Sequence, residues 1–239
     1  IMERVIAARV NHVWEKHRQG SSQFAFRRGI GTSSPLHALS MFIIDGFKQH
    51  VNFVPWDAEN PQEDDKNQRN KKGEGSKQHQ RKSRQTHHVT LLLSIDCNSA
   101  FDRGIPPKVI RRLREMGLEA EARWICQYFM NRKLRVFDRD EYSSRQDLDR
   151  GFPQGSCLAA LLWSIFIDDL IFDCEQYCQA KISPGVQFHP GSIAYPLFFA
   201  DDINFAIRGF NPSSILKQAN ELMAIVREWS EINEIPMSK

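Results

Sequence analysis

The sequence lacks any apolar run long enough to cross a bilayer, since its longest candidate, Leu158 to Phe172, is broken by Asp168 and Asp169 while a span needs about 18 to 20 apolar residues. No basic leader followed by an apolar segment opens the chain, so we expect an intracellular protein that is neither secreted nor anchored in a membrane. Cysteine is sparse and unpatterned: Cys97, Cys126, Cys157, Cys174 and Cys178 form an odd set of 5 without a CxxC pair, which excludes a disulfide framework and a zinc knuckle. Cys174 and Cys178 stand one helical turn apart with no histidine pair nearby to complete a tetrahedral site, and they read as two buried small apolar residues. An excess of one charge is also missing. The 32 Lys and Arg against 29 Asp and Glu leave a formal charge of +3, so a nucleic-acid partner has to be sought in local clusters.

What is present suits a globular protein: 239 residues, 41% hydrophobic and 26% charged, enough for one large core or two modest ones. Val5, Ile6, Val10, Val13 and Trp14 recur at helical spacing, and Leu36, Leu39, Ile43, Ile44 and Phe47 repeat the pattern after a start signal around Ser33, Ser34 and Pro35. Apolar residues then vanish from about Asp57 to His88. Within Lys66 to His88, eight Lys and Arg face the single acid Glu74, so this stretch reads as a disordered basic insertion. Either it adds non-specific RNA affinity through counterion release or it is a solvated linker.

Order is expected again at Val89 to Ile95, an apolar run that reads as a buried strand ending at Asp96. Pro106 and Pro107 open a helix closed by Gly117, and a second helix follows to about Asn131. Leu134 to Phe137 and the polar stretch after it suggest a hairpin. Gly151 to Ser156 is a turn, and Cys157 to Phe172 is apolar nearly all round, as a buried helix would be. Ile193 to Phe199 and Ile203 to Ile207 read as a hairpin with acids at its tip, and Ile215, Ala219, Leu222, Val226 and Trp229 mark a long amphipathic helix. The class is α+β, with a small, mostly antiparallel sheet backed by helices.

Three Asp-Asp pairs occur, at Asp64-Asp65, Asp168-Asp169 and Asp201-Asp202. The first lies in the polar insertion, and the second is expected at the exposed end of a helix. Only the third sits on a turn between two apolar strands. Nucleotidyl transfer uses two hard cations about 3.5 to 4 Å apart, and Mg²⁺ takes carboxylate oxygens while keeping waters and substrate phosphates. Asp96 at one strand end and Asp201 with Asp202 on a hairpin would serve that chemistry if their strands pair. Solvated acids at strand ends are the plain alternative.

Four blocks in order decide between them. Ser94-Ile95-Asp96 through Ala100-Phe101-Asp102, Gly151-Phe152-Pro153-Gln154-Gly155-Ser156, Phe199-Ala200-Asp201-Asp202, and Gln23-Phe24-Ala25-Phe26-Arg27-Arg28-Gly29 with Thr32 resemble the first palm motif, the GxPQGS motif, the YADD box and the QxGFRxG fingers block. These are motifs of reverse transcriptases of the non-LTR retrotransposon and group II intron type. Trp229 to Lys239 resembles a later W…K segment of that family. Ala25 stands where the family has glycine, Phe152 where it has a small aliphatic, and Cys97, Asn98 and Ser99 are unusual fillers.

The resemblance implies a right-hand polymerase palm with partial, mostly helical fingers and no thumb. Residues 1–50 would be fingers, 51–88 the insertion and 89–239 palm, with a fingers-like helical segment at about 106–133. It implies an RNA-directed DNA polymerase of a mobile element, acting on an RNA template, a DNA or RNA primer and deoxynucleoside triphosphates with two Mg²⁺ ions, or Mn²⁺ in their place. Asp96, Asp201 and Asp202 would hold metal. Phe101 would be the gate that rejects a 2′ hydroxyl, and Gln154 and Gly155 would line the nascent base pair. Lys239 would meet the leaving pyrophosphate, and Arg27, Arg28 and Pro153 the template. A group II intron-like enzyme serving splicing and a decayed RNA-binding relative without catalysis are the alternatives, and nothing speaks to oligomeric state. The chain starts inside a helical pattern and stops just after Met237, which reads as a fragment of a longer protein.

Overall fold

In the computed structural model the described residues are 1–48, 51–52, 85–86, 88–182 and 192–238. Most of the expected basic insertion, and Lys239, therefore lie outside the described residues. At its two ends Val51–Asn52 (β1) and Gln85–Thr86 (β2) pair antiparallel, Val51 with Thr86 and Asn52 with Gln85.

The core of the chain is a three-stranded antiparallel sheet in the order β3-β9-β8, formed by Val89–Asp96 (β3), Ile193–Phe199 (β8) and Asp202–Gly209 (β9). In β3 the side chains alternate as the pleat requires: Leu91, Leu93 and Ile95 turn inward, while Leu92, Ser94 and Asp96 are exposed. The central strand β9 is covered on both faces. Ile203, Phe205 and Ile207 are fully buried on one side. On the other, the Arg208 guanidinium lies 4.4 Å from the centre of the Phe42 ring and donates to the Phe42 carbonyl, and Phe42 stacks on Tyr195. Pro196 interrupts no pairing with β9, because β8 is an edge strand of this sheet.

The helices follow the sequence reading. Met2–His17 (α1) buries Ile6, Val10 and Trp14, one stripe at i, i+4, i+8, and Ser33–Lys48 (α2) packs on the sheet. After a short helical turn, Ala100–Arg103 (α3), come Pro106–Glu115 (α4), with proline in its first turn, and Glu119–Phe129 (α5). Gly117 between them sits at φ 78°, a left-handed value that glycine adopts without strain. The expected hairpin is two nested ladders, with Lys133–Leu134 (β4) pairing with Gln146–Asp147 (β7) around Phe137–Asp138 (β5) and Glu141–Tyr142 (β6). Ala159–Ala180 (α6) is buried nearly all round, and Pro212–Asn233 (α7) completes the core with Ile215, Leu222, Val226 and Trp229. Cys174 and Cys178 are buried free thiols, as read from the sequence.

Two expectations are overturned. β3 is not a buried strand, since Val89 and Leu92 are each 53% exposed and only one of its faces meets the core. Asp168 is not at an exposed helix end; it lies inside α6 with 2% of its surface exposed. Its two carboxylate oxygens accept from the backbone N–H groups of Gln19 and Gly20, both at 3.0 Å. Two turns on, Glu175 Oε1 accepts from Ser21 N at 2.8 Å, Ser21 Oγ at 2.9 Å and Ser22 N at 2.5 Å. These two buried acids fasten residues 19–22 to the helix. Gly20 is pressed so close that a Cβ there would stand 2.3 Å from Ile171 Cγ2.

Candidate active site

The strand register brings the predicted acids together. Asp96, the last residue of β3, is the cross-strand partner of Asp202, the first residue of β9, and Asp201 sits beside it in the turn between β8 and β9. Directly opposed residues in an antiparallel pair project from the same face with Cβ atoms about 4.5 to 5.5 Å apart, and like charges so placed repel. Burial, together with the charges of Asp202 and Asp96, raises the Asp201 carboxyl above its ordinary value. The same three acids add to burial in pushing the neighbouring Cys97 thiol up to about 12. Among the described residues no Lys, Arg or His forms an ion pair with any of the three. The donor set therefore fits a hard cation: carboxylate oxygens, mutual repulsion and no competing counter-charge. Among the described residues no group of three or more His, Cys, Asp or Glu side chains is arranged to hold an ion by itself.

The tip is held from two sides. At the β3 end, Asn98 N donates to the Pro236 carbonyl at 2.9 Å and Ser238 N donates to the Asp96 carbonyl at 2.8 Å, so the segment after α7 is laced to the end of the strand. At the turn, Ala200 has φ 58°. Its N–H donates to Gln23 Oε1 at 3.0 Å, and its carbonyl accepts from Gln23 Nε2 at 3.2 Å and from Trp163 Nε1 at 3.0 Å.

Phe101 follows on α3, half-buried between Phe26, whose ring meets it edge-on at 6.5 Å, and Trp163 at 5.5 Å. The Gly151–Ser156 segment lies against α3, for Gly151 N donates to the Gly104 carbonyl at 2.8 Å and Phe152 N to the Phe101 carbonyl at 2.6 Å. Gly151, at φ 84°, has no room for a side chain, because a Cβ would stand 2.8 Å from the Asp102 carbonyl oxygen. Gln154 and Gly155 are exposed beside this contact, and Gln154 Nε2 donates to Asp102 Oδ1 at 3.2 Å. Gly155 also has φ 84° but faces open space. Phe152, unusual for the motif, is accommodated by Gly104, whose missing side chain leaves room for the ring: a Cβ there would be 2.3 Å from Phe152 Cε2. Pro153 is half-buried next to it.

The Gln23 block stands at the same end of the sheet. Phe24 N donates to the Phe198 carbonyl and Phe198 N to the Ser22 carbonyl, both at 2.9 Å, which lays this segment along the free edge of β8. Arg27 donates to the Ser21 and Gln23 carbonyls at 3.3 Å, while Arg28 is exposed. Both line a pocket of about 320 Å³ between α1 and α6. Sequence reasoning gave Asp96, Asp201, Asp202, Phe101, Gln154, Gly155 and Pro153 their roles through the resemblance, and left the meeting of Asp96 with Asp201 and Asp202 conditional on their strands pairing. It assigned no part to Gln23 or Trp163; the position of Gln23 at the head of the fingers block was the available signal.

The described residues form an α+β fold, a small antiparallel sheet with acids at its tip, backed by helices. The reverse transcriptase (RNA-dependent DNA polymerase) family matches residues 1–239, and the chain belongs to that family. Two curated relatives come from Drosophila melanogaster. One is a 115 kDa protein in the type-1 retrotransposable element R1DM, 24% identical over 135 residues, or 56% of this chain and 12% of the relative. The other, named as a probable RNA-directed DNA polymerase from transposon BS, is 27% identical over 173 residues, or 71% of this chain and 15% of the relative. The chain thus spans less than a sixth of either protein. Among solved structures, telomerase from Candida albicans, in complex with the TWJ fragment of telomeric RNA, aligns with 93% of this chain and 32% of its own at 11% identity and a TM-score of 0.46.

Proposed function

We propose that this chain is the palm and part of the fingers of a non-LTR retrotransposon reverse transcriptase, extending a DNA or RNA primer on an RNA template with deoxynucleoside triphosphates. The observation that carries the reading is the register of Asp96 with Asp202 beside Asp201, three acids left without a counter-charge among the described residues. Residues 1–50 then form fingers, 51–88 an insertion whose ends meet at β1 and β2, and 89–239 palm, with 106–133 leaning to the fingers. Among the described residues no helix is long and apolar enough to cross a membrane, and the work of such an enzyme is intracellular.

Asp96 and Asp201 would hold two Mg²⁺ ions, with Asp202 as the second acid of the box. When bound, such ions lower the pKa of the attacking 3′ hydroxyl and neutralise the triphosphate. The chain's own residues orient the reactants. Phe101, braced by Phe26 and Trp163, presents a rigid ring where a 2′ hydroxyl would collide. Gln154, steadied by Asp102, and Gly155 offer a polar edge and an uncrowded backbone to the base pair. Arg27, Arg28 and Pro153 meet the template, and Lys239, outside the described residues, would meet the leaving pyrophosphate.

Primer extension on an RNA template with Mg²⁺ and deoxynucleotides tests this. The chain should extend, and Asp201→Ala should cut the rate by about 10²- to 10³-fold; extension untouched by the substitution would sink the reading. Phe101→Val should lower the preference for deoxynucleotides over ribonucleotides by about 100-fold in kcat/KM, and an unchanged preference would remove Phe101 as the gate.

A further inference from the structure

The turn that carries Asp201 is held in a conformation its own residues do not favour. Ala200 has φ 58°, a left-handed value that costs energy for any L-residue with a Cβ and persists only where the surroundings enforce it. Glycine would take this shape unaided, yet the chain has alanine here. The enforcement comes from outside the hairpin. We infer that Gln23 is the positioning residue of the metal-binding turn, clamping the N–H and the carbonyl of Ala200, one from each peptide group flanking its Cα, so that Asp201 is held toward Asp96. The inference rests on the reading of these acids as the metal site.

A primary amide suits the task. Gln23 Oε1 accepts from Ala200 N and Ala25 N, each at 3.0 Å, while Nε2 donates to the Ala200 carbonyl at 3.2 Å. Two N–H groups face the oxygen and a carbonyl faces the nitrogen, so the amide has only one orientation that satisfies its partners. Trp163 Nε1, a donor only, closes the second lone pair of the Ala200 carbonyl at 3.0 Å. Glutamate lacks the donor, leucine lacks both functions and asparagine is one methylene short.

Gln23 is itself fixed. It is 4% exposed, its neighbours Ser22 and Phe24 are hydrogen-bonded to Phe198 on either side, and residues 19–22 hang from Asp168 and Glu175. A continuous line of hydrogen bonds therefore runs from the core helix α6 through this strap to the acid-bearing turn. Loss of the amide should free the direction of the Ala200–Asp201 peptide while the sheet, which pairs from Phe199 and Asp202 onward, stays intact.

The test is hydrogen exchange on the whole chain, wild type against Gln23→Leu, with melting temperatures and Mg²⁺-dependent primer extension recorded alongside. Gln23→Glu, which keeps the shape and the acceptor, serves if leucine prevents folding. We expect the Ala200 amide to exchange at least about tenfold faster in the variant while the Phe205 and Ile207 amides keep their protection. The Mg²⁺ concentration for half-maximal extension should rise several-fold with the deoxynucleotide KM little changed. Ala200→Gly in the Gln23→Leu background should recover part of the metal response, since glycine needs no clamp. Unchanged Ala200 exchange, a loss of protection spread evenly over the sheet, or no recovery with Ala200→Gly would overturn the inference. A wild-type chain that fails to extend would instead refute the functional reading, and the exchange data would still decide the role of Gln23.

Discussion

The acids at the sheet tip and the acids inside α6 are the same chemical groups under opposite treatment. Asp168 and Glu175 are buried, and both oxygens of Asp168 and one of Glu175 accept from N–H or O–H donors of residues 19–22. Asp168 also lies 3.8 Å from the Arg112 guanidinium. Asp96 and Asp202 are cross-strand partners, their charges act on Asp201, and none of the three has an ion-pair partner among the described residues. A buried charge that is fully hydrogen-bonded holds structure, whereas a cluster of like charges left unpaired costs stability in the absence of a cation. The contrast separates two Asp-Asp pairs that look alike in the sequence.

The comparison can be broken most forcefully at Glu175. Glu175→Ala leaves the buried Ser22 N–H, and two donors of the exposed Ser21, without their acceptor; at about 1 to 3 kcal/mol for the buried group and a smaller part for the other two we expect a loss of roughly 3 kcal/mol. For a domain of this size that lowers Tm by about 6 to 12 °C, read by thermal melting; a drop of under about 2 °C would show that the acid is not an anchor. The opposite sign and a smaller size are expected at the tip. Asp202→Asn removes one like-charge opposition worth about 0.2 to 1 kcal/mol, so the metal-free protein should melt about 1 to 3 °C higher while extension falls. A lower Tm would mean that Asp202 has a stabilising partner and belongs with the acids of α6.

Much of the fold was legible because periodicity reports burial. The apolar run from Val89 to Ile95 and the two apolar runs flanking Asp201 and Asp202 located the strands, but the pairing of β3 with β9, on which the meeting of Asp96 and Asp202 depends, joins segments about a hundred residues apart and was not legible. Helix α6 runs on to Ala180, beyond the expected Phe172, because Glu175 breaks the apolar pattern while being buried. Asp168 was misplaced for the same reason: a carboxylate reads as surface unless its donors are known, and the Gly20 donor is 148 residues away in sequence. The Gln23 clamp was hidden more deeply. Its partner is a backbone peptide 177 residues distant, and a backbone group has no signature of its own. The short helix α3 depends on Ser99 at φ 54°, a conformation that residue type does not announce. The acids themselves were found through their motifs, since an Asp-Asp pair in isolation carries no information.

The measurement that bears most directly on the unpaired acids is Mn²⁺-induced broadening of backbone NMR signals at low metal concentration. Broadening centred on Asp96, Cys97, Asp201 and Asp202, and lost in Asp201→Asn, is the predicted result. Broadening centred elsewhere, or unaffected by the substitution, would contradict the assignment of these three acids as the cation site.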